Sequence, residues 1–283
     1  MGECGELIDV SVYFEPKIDC HCHLLDPARF PYDPQTRYAP AGQEIATLSQ
    51  MITVHDAFNV RHALLVQPNS GYGFDNSCVL DALERHPDRF RAIAVVPLDT
   101  SLEQLAALKS RAVLGVAFNV TFHGMPYYEQ SGPLLEKLAQ LDMFVDIQFE
   151  HEQFLALMPI LARHNVRVLV DHCGRPTTSW GVEHQAFQAL LDLGRTGRAV
   201  VKLSGYIKFA ETVHPYPDVV PFVNALLAAY GEDGCIWSSD WPFLKAPERV
   251  DFAPLVQLAG DLFTDPALRQ KLFWDNAARL FGF

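Results

Sequence analysis

The segment KIDCHCH, residues 17–23, opens a series of eight short strand-like runs that recur at fairly regular intervals. Its own run covers Lys17–Cys22. The other seven are rich in Val, Ile, Leu and Phe: His62–Gln67, Arg91–Pro97, Val113–Asn119, Met143–Phe149, Val166–Asp171, Ala199–Ser204 and Cys235–Ser239. Near-continuous apolar strands are typical of a parallel sheet that is covered on both faces. The pattern therefore predicts eight parallel strands.

Helix-like segments, with apolar residues at three- and four-residue spacing, separate these runs. Examples are Cys78–Glu84, Pro133–Leu141, Phe154–His164, Phe187–Leu193 and Val219–Tyr230. Strands that alternate with helices imply crossover connections, and eight such units favour a closed barrel over an open sheet. No GxGxxG motif follows the first strand, which argues against a dinucleotide-binding fold. We predict an α/β fold, a (β/α)8 TIM barrel with C-terminal helices over 254–283 packed on it.

Chain length and charge limit the domain count and the partners. The 283 residues fit one α/β barrel, which usually needs about 250 residues. We predict a single domain over 1–283 with its barrel core at about 17–245. The net charge of -12 repels phosphate backbones, so no nucleic-acid partner is expected. A small anionic substrate requires arginines or lysines gathered locally.

The sequence also predicts a compartment. No stretch approaches the ~20 consecutive apolar residues of a membrane span, and the N-terminal residues lack the pattern of a secretory signal. No CxxC pair occurs among the six cysteines, which read as reduced thiols: Cys4, Cys20, Cys22, Cys78, Cys173 and Cys235. We expect a cytosolic protein with no membrane partner, while the pattern leaves the oligomeric state open.

The strongest chemical signal is the histidine pair that ends the first strand. Side chains alternate along a strand, so His21 and His23 should share one face while Cys20 and Cys22 face the surrounding helices. Two imidazoles about 7 Å apart at the backbone can converge on a metal ion or on a substrate oxygen. The CxxC or HxxxH spacing of a zinc finger is absent.

Three other strand ends carry polar residues. His172 follows the sixth strand, Asp240 follows the eighth, and Glu150 and His151 follow the fifth. Function in α/β barrels lies at the carboxyl ends of the strands, and burying such groups without a purpose is costly. Structural alternatives exist: Asp240 suits a helix N-cap, and His172 could be a hydrogen-bonded core histidine.

Together these motifs carry a family resemblance. It rests on DCHCH (19–23), RFPYDPQTRYAP (29–40), DHCGRP (171–176), VKLSG (201–205) and WSSDWP (237–242). The combination resembles the amidohydrolase superfamily and, within it, the 2-pyrone-4,6-dicarboxylate lactonases and related sugar lactonases. The resemblance implies a (β/α)8 barrel that hydrolyses a lactone, with Asp240 activating water. It also implies that His21, His23 and His172 hold a metal or polarise the lactone carbonyl directly.

The chain departs from the family pattern in two respects. Residues 113–119 and 143–149 contain no bridging lysine, so we expect at most one zinc-like divalent metal, or none. Arg175 matches one substrate-binding arginine of the dicarboxylate lactonase, but Ala117 and Lys208 stand where two others are expected. Lysine cannot reproduce the bidentate grip of a guanidinium on a carboxylate. A related anionic lactone is therefore expected, and Arg175 pairing with a surface acid is the alternative for that residue.

Further candidates for substrate contacts lie at strand ends or in the loop over 26–43, which we predict to cover the site as a lid. They are Tyr38, Gln67, Ser70, His123, His151, Lys202 and Lys208. For most of them a surface or structural role is the competing interpretation. Lys202 lies inside the seventh strand, where a buried lysine needs a partner.

Two other functions compete with lactone hydrolysis. The first is a zinc-dependent non-oxidative decarboxylase, which uses the same histidines and aspartate on the same barrel. Release of carbon dioxide that a chelator abolishes would favour this alternative. A barrel that only binds a ligand would be unaffected by Asp240→Asn. Our preferred hypothesis remains water attack on a small, anionic, 2-pyrone-4,6-dicarboxylate-like lactone.

Overall fold

The structure is a computed structural model that describes residues 10–283. Within this range the chain forms eight strands of one parallel sheet, in the order of the sequence. They are β1 Lys17–Cys22, β2 Val60–Val66, β3 Phe90–Ala94, β4 Val113–Asn119, β5 Phe144–Gln148, β6 Arg167–Val170, β7 Ala199–Leu203 and β8 Cys235–Trp237. The prediction of eight parallel strands is confirmed, and the differences are confined to strand ends.

Helices follow the strands and surround the sheet. They are α1 Leu48–Ala57, α2 Ser77–Arg85, α3 Leu102–Ser110, α4 Val120–His123, α5 Met125–Tyr128, α6 Gly132–Gln140, α7 Gln153–Ala162, α8 Gln185–Arg195, α9 Val220–Tyr230, α10 Phe252–Leu262, α11 Pro266–Gln270 and α12 Asn276–Phe281. The five predicted helices correspond to α2, α6, α7, α8 and α9. Helices α1 and α3 each begin with a capping box, at Thr47 and Ser101, a signal that apolar spacing alone does not use.

The barrel interior is a packed apolar cluster to which every strand contributes. Ile18, Ile93, Phe144 and Ile236 belong to it, and Phe281 of α12 packs into the same cluster. The C-terminal helices therefore pack on the barrel as predicted. The cluster fills the lower barrel, and the polar side chains lie above it, toward the carboxyl ends of the strands.

The barrel closes between its first and last strands. The Asp240 amide donates to the His21 carbonyl (2.8 Å), and the His23 amide donates to the Trp241 carbonyl (2.9 Å). The segment after β8 thus runs beside β1 and closes the cylinder. We call this junction the β1–β8 seam. It places Asp240 directly beside the histidine pair.

A bulge in β1 changes one prediction. The pairing of β1 with β2 shifts register between Asp19 and Cys22. Cys22 packs among the residues under the outer helices as expected, but Cys20 belongs to the barrel-interior cluster. The prediction that both cysteines face the helices is therefore wrong for Cys20. A β-bulge adds one residue to a strand and breaks strict alternation, so Cys20 and His21 both point inward.

The structure bears on the predictions of reduced cysteines and of no membrane span, for residues 10–283 only. Five cysteines are free and buried, while Cys4 lies outside residues 10–283. None of the helices in that range combines the length and the apolar character required to cross a bilayer.

Candidate active site

The four residues singled out at the strand ends meet at one point. Asp240 Oδ1 lies 3.6 Å from His23 Nε2, 3.6 Å from His172 Nε2 and 4.0 Å from His21 Nε2. The Nε2 atoms of His21 and His23 are 3.3 Å apart. All four side chains are buried. Residues from the two ends of the barrel sequence thus form one compact cluster, which we call the His–Asp centre.

The outer ring nitrogens fix how the first two imidazoles face this centre. His21 Nδ1 lies 2.9 Å from Asp171 Oδ1, and His23 Nδ1 lies 2.8 Å from the Val66 carbonyl. A backbone carbonyl can only accept, so His23 carries its proton on Nδ1 and presents a lone pair on Nε2. Such outer contacts orient the ring and raise its basicity when it ligates a metal.

His172 is held from the neighbouring strand end. Its Nδ1 lies 3.1 Å from the Ser204 hydroxyl, which also accepts a hydrogen bond from Ser238 (2.7 Å). Gly205 follows at a φ of +65°, and a Cβ there would lie 2.5 Å from His172 Nδ1. The glycine of the VKLSG motif is therefore required for the imidazole to occupy its place.

The donor set fits a divalent cation. Donor atoms of His21, His172 and Asp240 all lie within 4.8 Å of one another, with His23 adjacent. Imidazole nitrogens and a carboxylate are ordinary zinc ligands, and a catalytic site leaves a position open for water. A cluster in which lone pairs and a carboxylate face each other needs a cation or a proton among them. The residues therefore could hold one metal ion.

The surroundings of the His–Asp centre favour a charged Asp240 and neutral His21 and His172. Burial alone would raise the pKa of Asp240, but Lys208, whose Nζ lies 3.5 Å from Asp240 Oδ2, and His172 together lower it well below its usual range. Burial lowers the pKa of His21, and it lowers that of His172 more strongly. At neutral pH the carboxylate is ionised and these imidazoles are uncharged.

Lys202 lies beneath the centre rather than in contact with the cavity. Its Nζ donates to Asp146 (2.6 Å), lies 2.8 Å from Asp171 Oδ1 and 3.1 Å from His21 Nδ1. The side chain is completely buried and does not line the cavity, so the structure does not place it as a substrate contact. Sequence reasoning missed its partner Asp146, although a carboxylate inside an apolar strand is itself a signal of pairing.

The two carboxyl groups of this buried network, Asp146 and Asp171, have pKa values that are shifted in opposite directions. Burial and the nearby charge of Asp171 raise the pKa of Asp146 well above its usual range. Burial acts the same way on Asp171, but His21 and Lys202 outweigh it and hold that pKa well below its usual range. Of the two carboxyl groups beside Lys202, Asp146 is therefore the one whose surroundings favour the protonated form, and Asp171 the one whose surroundings favour the charged form.

Asp19 fastens the β1–β8 seam from outside the barrel. Its carboxylate accepts from the His21 amide (3.2 Å), the Ser239 amide (2.8 Å) and the Ser239 hydroxyl. His55 Nε2 lies 3.3 Å away, and both residues are fully buried. Asp19 thus ties the strand that carries His21 to the residue before Asp240. Sequence reasoning quoted Asp19 within DCHCH but gave it no role.

A cavity of about 550 Å³ opens above the His–Asp centre. Five predicted contacts line it: Tyr38, Gln67, Ser70, Arg175 and Lys208. His123 stands outside the lining, bonded to Asn69 (3.1 Å). His151 is exposed and bonded to the Thr177 hydroxyl (2.7 Å). The structure therefore does not bring these two histidines into the lining of the cavity.

Cations gather around the cavity of this acidic chain. Arg37, Arg175, Lys208 and Lys245 all line it. Arg175 Nη1 donates to Glu150 (2.7 Å), so the ion-pair alternative for Arg175 holds while the residue also faces the cavity. Arg37 lies within the quoted RFPYDPQTRYAP motif, and Lys245 follows the WSSDWP motif closely, but sequence reasoning named neither.

The loop after β1 contributes to the cavity wall through Arg37 and Tyr38. Glu44 accepts from the Tyr38 hydroxyl (2.5 Å) and from the Lys245 amide (2.6 Å). One carboxylate therefore fastens this loop to the loop after β8 at the mouth of the cavity. The predicted lid is part of the cavity wall.

Comparisons with known proteins agree with this architecture. The family model for amidohydrolases matches residues 18–283. The chain is 32% identical over 274 residues to a 4-sulfomuconolactone hydrolase from Rhizobium radiobacter, covering 93% of this chain and 89% of that protein. It is 27% identical over 278 residues to a 2-pyrone-4,6-dicarboxylate hydrolase from Comamonas testosteroni, with coverage of 93% and 89%.

A solved structure shows the same fold. The crystal structure of a probable 2-pyrone-4,6-dicarboxylic acid hydrolase from Acinetobacter baumannii, with citric acid bound, matches with a TM-score of 0.86 at 27% identity. The match covers 94% of this chain and 99% of that one. The chain belongs to the amidohydrolase family.

Proposed function

We propose that this protein hydrolyses the lactone ring of a small anionic substrate, with Asp240 accepting a proton from the attacking water. The observation that carries the proposal is the buried carboxyl group of Asp240, 3.5 Å from Lys208 Nζ, at the base of a cavity lined by four cationic side chains. The relatives named for sulfomuconolactone and pyrone dicarboxylate hydrolysis support an anionic lactone as the substrate.

Asp240, the histidine pair and Lys208 have separate roles in the proposed reaction. The water oxygen adds to the lactone carbonyl carbon while Asp240 takes its proton, and the ring C–O bond then breaks as that proton is returned to the departing ring oxygen. The Nε2 atoms of His21 and His23 face Asp240 and can accept hydrogen bonds from a water molecule bound between them. Lys208 is the cation beside Asp240 and offsets the negative charge that accumulates there.

A metal ion fits the same residues. We propose that His21, His172 and Asp240, with His23 beside them, would hold a single zinc-like ion, because β4 and β5 supply no bridging lysine. When bound, such an ion lowers the pKa of water toward ~7 and polarises a carbonyl. Asp171, Ser204 and the Val66 carbonyl supply the outer contacts that fix the three imidazoles for this role.

A panel of lactones, assayed alongside metal content, tests the function. We expect purified protein to open carboxylated or sulfonated lactones faster than uncharged lactones of the same ring size, because the cavity cations favour anions. Titration of the released acid measures ring opening, and elemental analysis counts bound metal per chain. Release of carbon dioxide without ring opening would establish a decarboxylase, and binding without turnover would establish a ligand-binding barrel.

The pH profile follows from the shifted groups. We expect the acidic limb of kcat/KM to lie below pH 6.5, because burial lowers the pKa values of His21 and His172 from 6.5 and the pKa of Asp240 is held lower still. A lowered pKa keeps each group in its deprotonated form to lower pH, so activity is lost only as pH falls through the shifted values. A limb centred above pH 6.5 would contradict this assignment.

A further inference from the structure

We propose that Asp19, Cys22 and His55 form a structural metal site that takes a zinc-like divalent ion. The site lies between β1 and α1, outside the barrel, and supports the β1–β8 seam. It is separate from the His–Asp centre, and the proposal does not depend on lactone hydrolysis. Two observations carry it: three ligating atoms gathered in one place, and a buried histidine that makes no hydrogen bond.

Three side chains of different kinds meet at this site. Asp19 and Cys22 lie on β1, and His55 lies on α1. A carboxylate oxygen of Asp19, the sulfur of Cys22 and a ring nitrogen of His55 all lie within 4.8 Å of one another, and all three residues are completely buried. Asp19 Oδ2 and His55 Nε2 are 3.3 Å apart. Neighbouring ligands of a tetrahedral zinc ion lie about 3.4 Å apart when the bonds are about 2.0–2.1 Å long, so this pair already has suitable spacing.

His55 is the member of the cluster that hydrogen bonding leaves unexplained. Neither of its ring nitrogens has a hydrogen-bond partner among residues 10–283. Its Nε2 approaches Asp19 without the geometry of a hydrogen bond, and the Phe252 ring lies on another side, with centroids 6.1 Å apart. A buried polar group without a partner is costly, and a cation bound at Nε2 removes part of that cost.

The charges of the three ligands suit a dication. A carboxylate, a thiolate and a neutral imidazole together balance two positive charges, so the occupied site has no net charge and can stay fully buried. Cys22 ligates as the thiolate, and its proton leaves to solvent when the ion binds. Thiolate and imidazole ligands favour zinc-like ions over Mg²⁺ and Ca²⁺, which prefer oxygen ligands.

Asp19 connects this site to the β1–β8 seam. Its Oδ1 accepts from the His21 amide (3.2 Å) and the Ser239 amide (2.8 Å), and its Oδ2 accepts from the Ser239 hydroxyl. An ion held by Asp19 would therefore fasten α1, β1 and the segment after β8 at one point. The Ser239 hydroxyl, bonded to the same Oδ2, is a candidate for the fourth ligand. Cys22 and His55 are not in the lining of the cavity, so the ion has a structural role.

Cobalt substitution distinguishes this site from the His–Asp centre. The residues of that centre carry no sulfur, whereas a thiolate bound to Co²⁺ gives a charge-transfer absorption in the near ultraviolet. The ion enters as the chain folds, so the intact protein is produced in cobalt-supplemented medium. We expect the folded protein to show this absorption, with one thiolate-bound cobalt per chain. Folded native protein without the absorption would overturn the proposal.

Two cysteine variants locate the sulfur ligand. We expect Cys22→Ala to abolish the absorption and to lower the zinc content of zinc-grown protein by one ion per chain. Cys20→Ala is the matched control, because Cys20 is a buried cysteine of the same strand that belongs to the barrel-interior cluster, so both quantities should be unchanged. An absorption that persists in Cys22→Ala overturns the proposal. If Cys22→Ala does not fold, His55→Phe replaces it, and an unchanged absorption in that variant overturns the proposal in the same way.

Urea unfolding tests the structural role. An ion that binds only the folded state stabilises it, so zinc-loaded native protein should unfold at a higher urea midpoint than chelator-treated protein. Any ion at the His–Asp centre contributes to this difference in every variant. We therefore expect the zinc-dependent shift of the midpoint to be smaller in Cys22→Ala than in Cys20→Ala. Equal shifts in the two variants would show that no ion at Cys22 supports the fold.

Discussion

Replacing Asp240 with asparagine is expected to lower kcat/KM for lactone opening by about 100- to 10,000-fold, the range that positioned proton transfer contributes. The amide keeps the size of the side chain but cannot accept a proton from water. Asparagine also tolerates the left-handed backbone at this position, where φ is +60°. The loss should therefore reflect chemistry rather than a distorted loop, and initial rates on the preferred lactone measure it.

A surface carboxylate provides the control for this variant. Asp192 is exposed on α8 and pairs with Arg195, so Asp192→Asn should retain full activity. Circular dichroism and urea unfolding of both variants establish that each is folded. If Asp240→Asn retains activity within tenfold of the native protein, Asp240 is not the proton acceptor. If the native protein binds a ligand without turning it over, and Asp240→Asn binds it equally well, the non-catalytic barrel is favoured.

Lys202→Met is expected to cost about 3–5 kcal/mol of the free energy of unfolding, because it leaves a buried carboxylate without its countercharge. Asp171 is the carboxylate concerned, since its pKa is held well below the usual range and it stays ionised. Asp146→Asn in the same network should cost less than about 1 kcal/mol. The raised pKa of Asp146 favours its protonated form, which an asparagine resembles, and the asparagine carbonyl can still accept from Lys202.

Urea unfolding at pH 7 separates the two variants. The native protein, Lys202→Met and Asp146→Asn are compared by midpoint and slope, so that a change in slope reveals a loss of two-state behaviour. Equal destabilisation by both substitutions would contradict the assignment of the neutral acid to Asp146. A stable Lys202→Met protein would show instead that Asp171 takes up a proton when its partner is lost.

The fold could be predicted from the sequence because its strands have a distinct composition. Runs such as Val113–Asn119 alternate with helical segments, and the number of units selects a barrel. Cys20 could not be placed correctly, because a bulge depends on how β1 pairs with β2 rather than on β1 alone. The period of two that assigned its face does not hold across an inserted residue.

Part of the candidate site could also be predicted from the strand pattern. His21, His172 and Asp240 lie at strand ends, where barrel topology brings distant residues together, and the structure places them within one cluster. Their catalytic roles remain proposals. Arg37 and Lys245 lie on long loops, whose path over the surface is set by tertiary contacts such as those of Glu44, so the strand pattern carries no information about them.

The β1–β8 seam has a consequence for biosynthesis. Its fastening partners Asp19 and Ser239 are 220 residues apart in the chain, so the first histidines leave the ribosome long before the aspartate they face. A nascent polypeptide carries the imidazole pair before Asp240, the carboxylate that the pair contacts, has been synthesised. The proposed catalytic centre is therefore complete only after β8 has been synthesised and the β1–β8 seam has formed.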